Sequence, residues 1–263
     1  MMMRAVTFLR SMGLSVWEFS HATKLAPVDL RGIEVRTVGR CGSTNTMLLE
    51  EGKPGVLLSA DEQTAGRGRR GRRWYTAPGV DIAFSVSAEI ARPVAGLSLI
   101  AGVAAARALR ALGVAQAALK WPNDLLVGGA KLGGILVETR GRLAVFGFGI
   151  NCRRDSALEL RLRRPIASLD QFIAVDRSGV IERIARSLLD ALEVFNAHGL
   201  APLLREWERM DAHAGQRLRV RLAGGRVLTG LARGLDREGG LQLETRIGLL
   251  AVHSGRIVSS RSA

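Results

Sequence analysis

Cysteine is nearly absent from this chain: Cys41 and Cys152 are the two among 263 residues, and they stand far apart. Neither has a partner at the spacing of a metal or redox motif, which argues against a disulfide framework. No run of the sequence approaches the roughly 18 consecutive apolar residues that a membrane-spanning helix needs. We therefore expect a cytoplasmic protein that does not associate with a membrane.

Lysine is scarce as well. Of the 38 basic residues four are lysine, namely Lys24, Lys53, Lys120 and Lys131, and the other 34 are arginine. The net charge of +14 would suit a nucleic-acid partner, but the arginines are spread along the chain, which favours a general bias in composition. Under such a bias, a lysine that remains indicates a place that needs a compact point charge.

The nucleotide-binding motifs of the common α/β folds are missing. No Gly-x-x-x-x-Gly-Lys-Ser/Thr occurs, so the sequence has no P-loop, and kinase catalytic-loop signatures are absent. Residues 66–71 match Gly-x-Gly-x-x-Gly, but Pro78 and Gly79 follow where a dinucleotide-binding fold needs a helix. The match therefore does not indicate a Rossmann fold.

The glycines of that match alternate with cations. Within seven residues the chain carries Arg67, Arg69, Arg70, Arg72 and Arg73. Because these charges repel one another and glycine adds no stiffness, we expect a loop without fixed structure until an anion binds. Guanidinium and backbone N–H groups would then surround phosphate or carboxylate oxygens. The alternative is a charge run that only faces solvent.

Hydrophobic periodicity divides most of the chain into short strands and helices. Strands are predicted at 33–38, 55–60, 81–88 and 142–150, with a hairpin over 125–138 that turns at Gly128-Gly129. Helices are predicted after the capping residues 43–45 and over 95–112, 177–197 and 201–209, and the arginine-rich stretch 153–168 is predicted to be a loop.

The character of the chain changes near residue 212. From Gly215 onward, short strand patterns alternate with glycine pairs at 224–225 and 239–240, which predicts a small antiparallel barrel. We therefore divide the chain into an N-terminal extension (1–32), a large domain (33–212) and a small β domain (213–263).

Two lysine-containing clusters point to chemistry. In Lys120-Trp121-Pro122-Asn123-Asp124 a cation, an amide and a carboxylate lie close together. Asp124 could hold Mg²⁺, which prefers a carboxylate plus substrate phosphates, although Asn-Asp is also ordinary turn chemistry. Lys131 enters a strand that begins with two glycines, where a ligand can approach the backbone. The alternative is an exposed lysine at a hairpin end.

Together these segments resemble the biotin protein ligases over about residues 33 to 258. The motifs that match, in the family's order, are Ser43-Thr44-Asn45, E-Q-T-A-G-R-G-R-R-G-R (62–72), K-W-P-N-D (120–124), K-L-G-G-I-L-V-E (131–138) and G-F-G-I-N (147–151). Each motif alone is modest, but their shared order argues against a chance match.

The resemblance implies roles for individual residues. The implied biotin site is Ser43, Thr44, Asn45, Gln63, Gly66, Arg67, Gly68, Arg69 and Lys131. The implied nucleotide site is Arg69, Arg70, Trp74, Lys120, Asn123 and Asn151. Lys131 and Arg67 are the implied catalytic residues, and Asp124 is the implied metal ligand. Neutral hydroxyl and amide groups suit the uncharged ureido ring of biotin.

The resemblance also implies a fold and a reaction. The fold is α+β: a mixed, mostly antiparallel sheet with flanking helices, as in class II synthetases, followed by a small SH3-like β-barrel. With ATP and Mg²⁺ or Mn²⁺, such enzymes convert biotin to biotinyl-5′-AMP and release pyrophosphate. Biotin then passes to a lysine of a biotin carboxyl carrier protein, expected to be an acidic domain. The arginine loop (residues 66–73) would be the lid over the adenylate.

One feature of larger family members is not expected here. Those members carry an N-terminal winged helix-turn-helix that represses transcription, whereas about 32 residues precede the first predicted strand. We therefore expect a ligase without specific DNA binding, as a monomer or weak homodimer. A lipoate or octanoate ligase of the same fold is the nearest alternative. A basic nucleic-acid-binding protein is the alternative from another class.

Overall fold

The structure is a computed structural model that describes residues 30, 32–75, 78, 81–91, 96–162 and 165–261. The predicted N-terminal extension (1–32) therefore lies almost wholly outside the described residues, and so does Gly79 of the turn after the arginines. Within the described ranges, none of the helices has the length and apolar character needed to cross a membrane.

A seven-stranded sheet forms the larger part of the molecule. Its strands are β1 (Glu34–Cys41), β2 (Val56–Gln63), β3 (Asp81–Glu89), β4 (Ala118–Lys120), β5 (Asp124–Val127), β6 (Ala130–Arg140) and β7 (Leu143–Asn151). They lie in the order β1-β2-β3-β7-β6-β5-β4, and all neighbours are antiparallel except the pair β1 and β2. The predicted mixed, mostly antiparallel sheet is confirmed.

The described residues form five α-helices: α1 (Thr44–Glu51), α2 (Leu97–Ala111), α3 (Ser156–Leu162), α4 (Arg177–His198) and α5 (Ala201–Glu208). The prediction of a loop over 153–168 was wrong where α3 forms. The Glu159 carboxylate accepts hydrogen bonds from the Ile166 N–H at 3.1 Å and from Arg154 at 3.4 Å. Hydrophobic periodicity does not reveal such side-chain contacts, which stabilise this segment.

Local sequence explains where the first helix and the predicted hairpin begin and end. Ser43 caps α1 by accepting a hydrogen bond from the Thr46 N–H, and Gly52 ends the helix in the left-handed region at φ 73°. The β5–β6 turn places Gly128 at φ 57° and Gly129 at φ 80°. Two consecutive positive φ values match the strand twist of a tight hairpin, which is why a glycine pair occurs there.

The two faces of the large sheet have different surroundings. One face packs against α2 and α4 and carries most of the core, including Phe84 and Phe146, and α5 packs on these two helices. The opposite face packs against α1, where Leu48 contacts Val56 and Val145. Because residues two apart on a strand share a face, this second face continues along β7 into two glycines.

A second, five-stranded antiparallel sheet follows. It contains β8 (Arg217–Arg221), β9 (Val227–Leu235), β10 (Leu241–Thr245), β11 (Gly248–Val252) and β12 (Arg256–Arg261), in the order β11-β10-β9-β8-β12. It lies against the 120–124 cluster, since the buried Trp121 indole donates to the Gly239 carbonyl oxygen at 3.1 Å. The predicted domain boundary at 212 falls between α5 and β8 and stays a prediction.

A buried carboxyl group lies where β3, β7 and α4 meet. Asp81 is 4% exposed, and Arg177 at the start of α4 donates to its carbonyl oxygen and to Asp61 Oδ1, both at 3.2 Å. Burial raises the pKa of Asp81 to about 7; Asp155 raises this pKa further, while the Cys152 N–H and Arg177 oppose the shift. Burial, followed by the charge of Asp81, raises the pKa of the Cys152 thiol to about 12.

We expect Asp81 to make the folded protein less stable as the pH rises. Its folded-state pKa lies above the ordinary value of 3.8, so its stabilising contribution is complete below that value and is lost as the pH rises through about 7. Asp81→Asn keeps an acceptor for the Cys152 N–H but cannot ionise. The variant should lose less unfolding free energy than the wild type between pH 5 and pH 8, as measured by urea denaturation.

The control is Glu50→Gln, which removes an exposed carboxylate from α1 and should follow the wild type at both pH values. Equal pH dependence for Asp81→Asn and the wild type would contradict the raised pKa.

Candidate functional site

A cavity of about 400 Å³ lies on the face of the large sheet that carries α1. Its walls come from four separate parts of the chain: the start of α1, the arginine loop (residues 66–73), the 120–124 cluster with Lys131, and the start of β12 from the second sheet. The cavity therefore forms only when both sheets are in place.

The floor of the cavity is strand backbone with few side chains. Gly134 of β6 pairs with Gly149 of β7, and two residues along, Leu136 pairs with Gly147, which also pairs with Ser85 of β3. All five residues share one face of the sheet because directly paired residues point the same way. Glycine at these positions leaves room directly above the main chain.

Neighbouring side chains require glycine at both β7 positions. A Cβ atom on Gly147 would lie 2.2 Å from Asn45 Oδ1, and one on Gly149 would lie 2.3 Å from the Trp74 indole. Real Cβ atoms essentially never make contacts under 3.0 Å. Asn45 and Trp74 thus lie directly over the bare backbone. The Trp74 indole nitrogen is buried and has no hydrogen-bond partner among the described residues.

Neutral polar groups form one wall of the cavity. The backbone N–H and the hydroxyl of Thr44 both donate to Gln63 Oε1, at 2.9 and 3.2 Å. The Ser85 hydroxyl donates to Asn45 Oδ1 at 2.6 Å and lies 2.6 Å from the Thr44 hydroxyl. Thr44, Asn45 and Ser85 are buried. Mutual hydrogen bonds therefore fix these groups in place before any ligand binds.

Glu138 connects this wall to the arginine loop. Its carboxylate accepts from Asn45 Nδ2 at 2.9 Å and from Arg67 at 3.1 and 3.3 Å, and Arg67 also donates to the Thr46 hydroxyl at 3.0 Å. Partly exposed ion pairs contribute little stability. The consequence of this pair is positional, because it holds the Arg67 guanidinium beside the neutral wall.

The arginine loop follows a defined path. Arg67 and Arg73 form a short antiparallel bridge, with the 3-10 turn Arg69–Gly71 between them. Arg70 lies in the left-handed region at φ 58° and donates to the Ser254 hydroxyl at 3.3 Å. The sequence predicted a loop without fixed structure because like charges repel. The disorder expected without an anion stays a prediction, and Glu138 and Ser254 are loop partners that this reasoning did not include.

The loop is also fastened where it ends. Two guanidinium groups lie near the Tyr75 ring, with Arg73 at 5.2 Å and Arg161 of α3 at 4.3 Å from its centroid. Arg161 also donates to the Tyr75 hydroxyl at 2.9 Å. The path of the loop therefore depends on α3, the helix that the sequence did not predict.

A lysine–carboxylate pair faces the neutral wall across the cavity. Lys131 Nζ donates to Asp124 Oδ1, with the two side chains 18% and 24% exposed, and lies 5.8 Å from the centroid of the Trp74 ring. Burial lowers the pKa of the nearby Arg69 guanidinium, the charge of Arg70 lowers it further, and Asp124 opposes the shift. Crowded, partly desolvated cations favour a bound anion.

Asn151 lies behind Lys131 and does not line the cavity. Its side-chain amide donates to the carbonyl oxygens of Lys131 at 3.1 Å and Ala167 at 3.0 Å. The Ala167 N–H also donates to the Lys131 carbonyl oxygen, at 3.0 Å. These three bonds fix the backbone from which the Lys131 side chain extends. Gly66 likewise lies behind the cavity, where its carbonyl oxygen accepts from the Trp74 N–H at 2.9 Å.

The region behind Lys120 contains a neutral imidazole. His213 is 8% exposed, and its Nδ1 has no hydrogen-bond partner among the described residues. Burial, followed by the charge of Lys120, lowers the pKa of His213 to about 4. His213 is therefore uncharged at neutral pH and adds no second positive charge beside Lys120.

The structure brings most of the predicted site residues together. Thirteen of the fifteen line the cavity: Ser43, Thr44, Asn45, Gln63, Arg67, Gly68, Arg69, Arg70, Trp74, Lys120, Asn123, Asp124 and Lys131. The other two, Gly66 and Asn151, support the site from behind. The ligand that each residue contacts stays a prediction.

Three contributions were not predicted. Ser85 had a signal, because β3 alternates apolar residues with small polar ones, and Ser85 lies on the polar side. Glu138 ends one of the motifs but was given no role. Residues 255–258, which include Arg256, reach the cavity from the second sheet. No local pattern could have placed them there.

The described residues contain no group of three or more His, Cys, Asp or Glu side chains that could hold a metal ion. Asp124 is a single carboxylate, already paired with Lys131. Such a position fits Mg²⁺ when substrate phosphates supply further ligands, because Mg²⁺ commonly binds through one or two carboxylates plus phosphates.

Two family models match the chain. The model of the biotin/lipoate A/B protein ligase family matches residues 38–155, and the model of the biotin protein ligase C-terminal domain matches residues 213–259. The first match spans the neutral wall, the arginine loop and both lysine clusters. The second spans the five-stranded sheet.

Known proteins are similar over most of the chain. The bifunctional ligase/repressor BirA of Escherichia coli is 36% identical over 247 residues, covering 89% of this chain and 76% of that protein. The biotin--[acetyl-CoA-carboxylase] ligase of Mycobacterium tuberculosis is 34% identical over 249 residues, covering 87% and 90%. The structure of the Aquifex aeolicus biotin protein ligase in complex with biotin and ATP matches with a TM-score of 0.77 at 26% identity, covering 88% and 99%.

We expect Asn151→Ala to loosen the backbone behind Lys131. The substitution removes both amide donors and leaves two carbonyl oxygens with fewer partners, which should accelerate exchange of the Ala167 N–H about tenfold. Amide hydrogen exchange followed by mass spectrometry measures this. The control is Asn196→Ala on α4, which should leave the Ala167 N–H unchanged. An unaltered exchange rate in Asn151→Ala would show that the amide is dispensable for holding this backbone.

Proposed function

The chain belongs to the biotin protein ligase family, and on that premise we propose that it activates biotin with ATP and transfers the biotinyl group to a lysine of a biotin carboxyl carrier protein. The first product is biotinyl-5′-AMP, and the enzyme class is a biotin–[biotin carboxyl carrier protein] ligase that forms AMP.

The observation that carries this proposal is the meeting of two kinds of surface in one cavity. Thr44, Asn45 and Gln63 present neutral hydrogen-bonding groups, which suit the uncharged ureido ring of biotin. Across the cavity stand the cations Lys131 and Arg69, which suit a carboxylate and phosphates. A ligand with a neutral head and an acidic tail would span the two.

The first step joins two anions. A biotin carboxylate oxygen attacks the α-phosphorus of ATP, the bond from that phosphorus to the bridging oxygen breaks, and pyrophosphate leaves. Negative charge builds on the phosphoryl oxygens during the displacement. Lys131 stabilises this charge more in the transition state than in the ground state, and Arg67 orients the biotin carboxylate beside it. The bonds from Asn151 keep the Lys131 backbone fixed during the step.

The nucleotide and its metal ion belong on the side of the 120–124 cluster. Lys120 and Asn123 contact the phosphates and the adenylate, and Trp74 covers the ligand. Asp124 is the residue that would hold Mg²⁺ or Mn²⁺, which neutralises phosphate charge when bound.

The second step needs protection from water. A lysine amine of the acceptor attacks the acyl carbon of biotinyl-5′-AMP, the acyl–oxygen bond breaks, AMP leaves and the amine loses a proton to solvent. Because water also destroys this mixed anhydride, the intermediate must be covered until the acceptor arrives. Arg67, Gly68, Arg69 and Arg70 of the arginine loop act as that cover and close more tightly when the adenylate forms.

The wider setting is part of the proposal. The free thiols of Cys41 and Cys152 suit a reducing, cytoplasmic compartment. We propose a monomer or weak homodimer without specific DNA binding or membrane association. A lipoate ligase is the competing function, and the motifs K-W-P-N-D (120–124) and Q-T-A-G-R-G-R-R-G (63–71) favour biotin.

We expect isotope exchange between pyrophosphate and ATP in the presence of biotin but not in the presence of lipoate. Lys131→Ala should reduce the biotin-dependent rate about 100-fold to 1,000-fold, because it removes a preorganised group that stabilises transition-state charge. The assay measures the adenylation step alone, without an acceptor.

The matched control is Lys53→Ala, which removes a half-exposed lysine paired with Glu34 and should exchange like the wild type. Wild-type exchange by Lys131→Ala would refute its catalytic role. Exchange driven by lipoate and not by biotin would replace the proposed substrate.

We expect biotin and ATP together to protect the arginine loop from trypsin. Closure over the adenylate should slow cleavage after residues 67–73 about tenfold relative to ATP alone, because fewer loop conformations expose the bonds. Mass spectrometry of the fragments measures each site separately. Cleavage after the exposed Arg226 in the β8–β9 turn serves as the internal control. Equal cleavage of the loop with and without ligands would exclude the closure.

A further inference from the structure

A row of exposed arginines crosses the outer face of the second sheet. In β8 the side chains alternate: Leu218 and Val220 are buried, whereas Arg217, Arg219 and Arg221 are exposed. Arg256 and Arg261 on β12 lie beside them. We call these five residues the arginine ladder. They belong to a segment, residues 213–263, with nine arginines, no lysine and three carboxylate side chains.

The register brings like charges face to face. Arg221 pairs directly with Arg256, and Arg217 pairs directly with Arg261. Like charges directly opposite each other destabilise an antiparallel pair of strands. The arginine pairs therefore do not stabilise the sheet, which suggests that the ladder has a role in binding.

The described residues in register with the β8 arginines include no carboxylate. On the β9 side, the residues in register with β8 are Val227, Thr229 and Leu231, and on the β12 side Ser259 lies opposite Arg219. In the part of the chain that the structure describes, the side chains of Arg217, Arg219 and Arg221 form no hydrogen bond or ion pair. Three guanidinium groups therefore remain available to an external anion.

One end of the ladder lies at the cavity. Arg256 lines it together with Ile257 and Val258, and Arg70 of the loop contacts Ser254 just before β12. Alternate residues of a strand are about 6.7 Å apart, so the β8 arginines extend about 13 Å along the strand from the pair with Arg256. The ladder is therefore a charged track that leads away from the cavity mouth.

We propose that the arginine ladder is the docking surface for an acidic face of the protein that accepts biotin. This inference rests on the proposed function. The acceptor must insert a lysine into the cavity, so its surface around that lysine faces the cavity rim, where the ladder begins. Carboxylates of the acceptor would pair with guanidinium groups in bidentate geometry and fix the orientation of the lysine.

Nucleic acid is the less suitable partner for this surface. Strands β8, β9 and β12 contain no Phe, Trp or Tyr, so they offer no ring on which unpaired bases could stack. The track also ends at a cavity whose product must reach a protein lysine. Both features favour an acidic protein surface.

The test uses the triple variant Arg217→Gln, Arg219→Gln, Arg221→Gln, which keeps the side-chain length and removes three charges. The probe is a purified, unbiotinylated carrier domain with an acidic surface. We expect KM for this domain to rise about tenfold and its dependence on salt between 50 and 300 mM NaCl to weaken, because exposed ion pairs attract and orient the partner. Biotin-dependent pyrophosphate exchange should stay at the wild-type rate.

The matched control is Arg183→Gln, Arg205→Gln, Arg209→Gln, which removes the same number of charges from exposed helix and turn positions. It should keep the wild-type KM for the carrier domain. An unchanged KM and salt dependence in the ladder variant, with exchange intact, would overturn the docking surface. So would a ladder-dependent affinity for a 20-base-pair DNA duplex without any effect on the carrier domain. Absent exchange in the wild type would instead refute the proposed function.

Discussion

The site depends on a strip of main chain that carries no side chains. Gly134, Gly147 and Gly149 lie side by side on one face of two neighbouring strands, so the backbone itself forms the cavity floor. The other face of the same strands packs into the hydrophobic core through side chains such as Phe146, which keeps this strip rigid. Side chains that pack on such a floor are held in fixed positions, and fixed groups are the condition for preorganised electrostatic stabilisation. Asn45 and Trp74 occupy the space that the missing Cβ atoms leave.

Several cations in one cavity destabilise the protein, because like charges repel and each cation loses solvation. Two carboxylates reduce this cost. Asp124 pairs with Lys131, and Glu138 pairs with Arg67. Burial lowers the pKa of the Arg69 guanidinium between them, and the charge of Arg70 lowers it further. The two ion pairs reduce the repulsion among the cations when no ligand is bound. The remaining positive charge still attracts an anion.

Much of the fold and most of the site could be predicted from the sequence, because glycine, capping residues and alternating strands act locally. The hairpin at Gly128-Gly129 and the cap at Ser43 are examples. Motif residues such as Lys131 and Gln63 were likewise visible. What escaped prediction depends on tertiary contacts. The helix α3 is held by bonds from Glu159, the arginine loop by Glu138 and Ser254, and Arg256 reaches the cavity only through the packing of the second sheet.

The second sheet therefore contributes directly to the site. It supplies the cavity with Arg256, it contacts the loop at Ser254, and it accepts a hydrogen bond from Trp121 inside the 120–124 cluster. Adenylation and transfer need different things: the first needs a closed cavity, and the second needs a protein at its mouth. The second sheet contacts both the arginine loop and the rim of the cavity, so it can serve both steps. An acceptor protein bound to its outer face would lie beside the loop that must open. The exposed charges of β8, unexplained by the stability of the sheet, fit that division of labour.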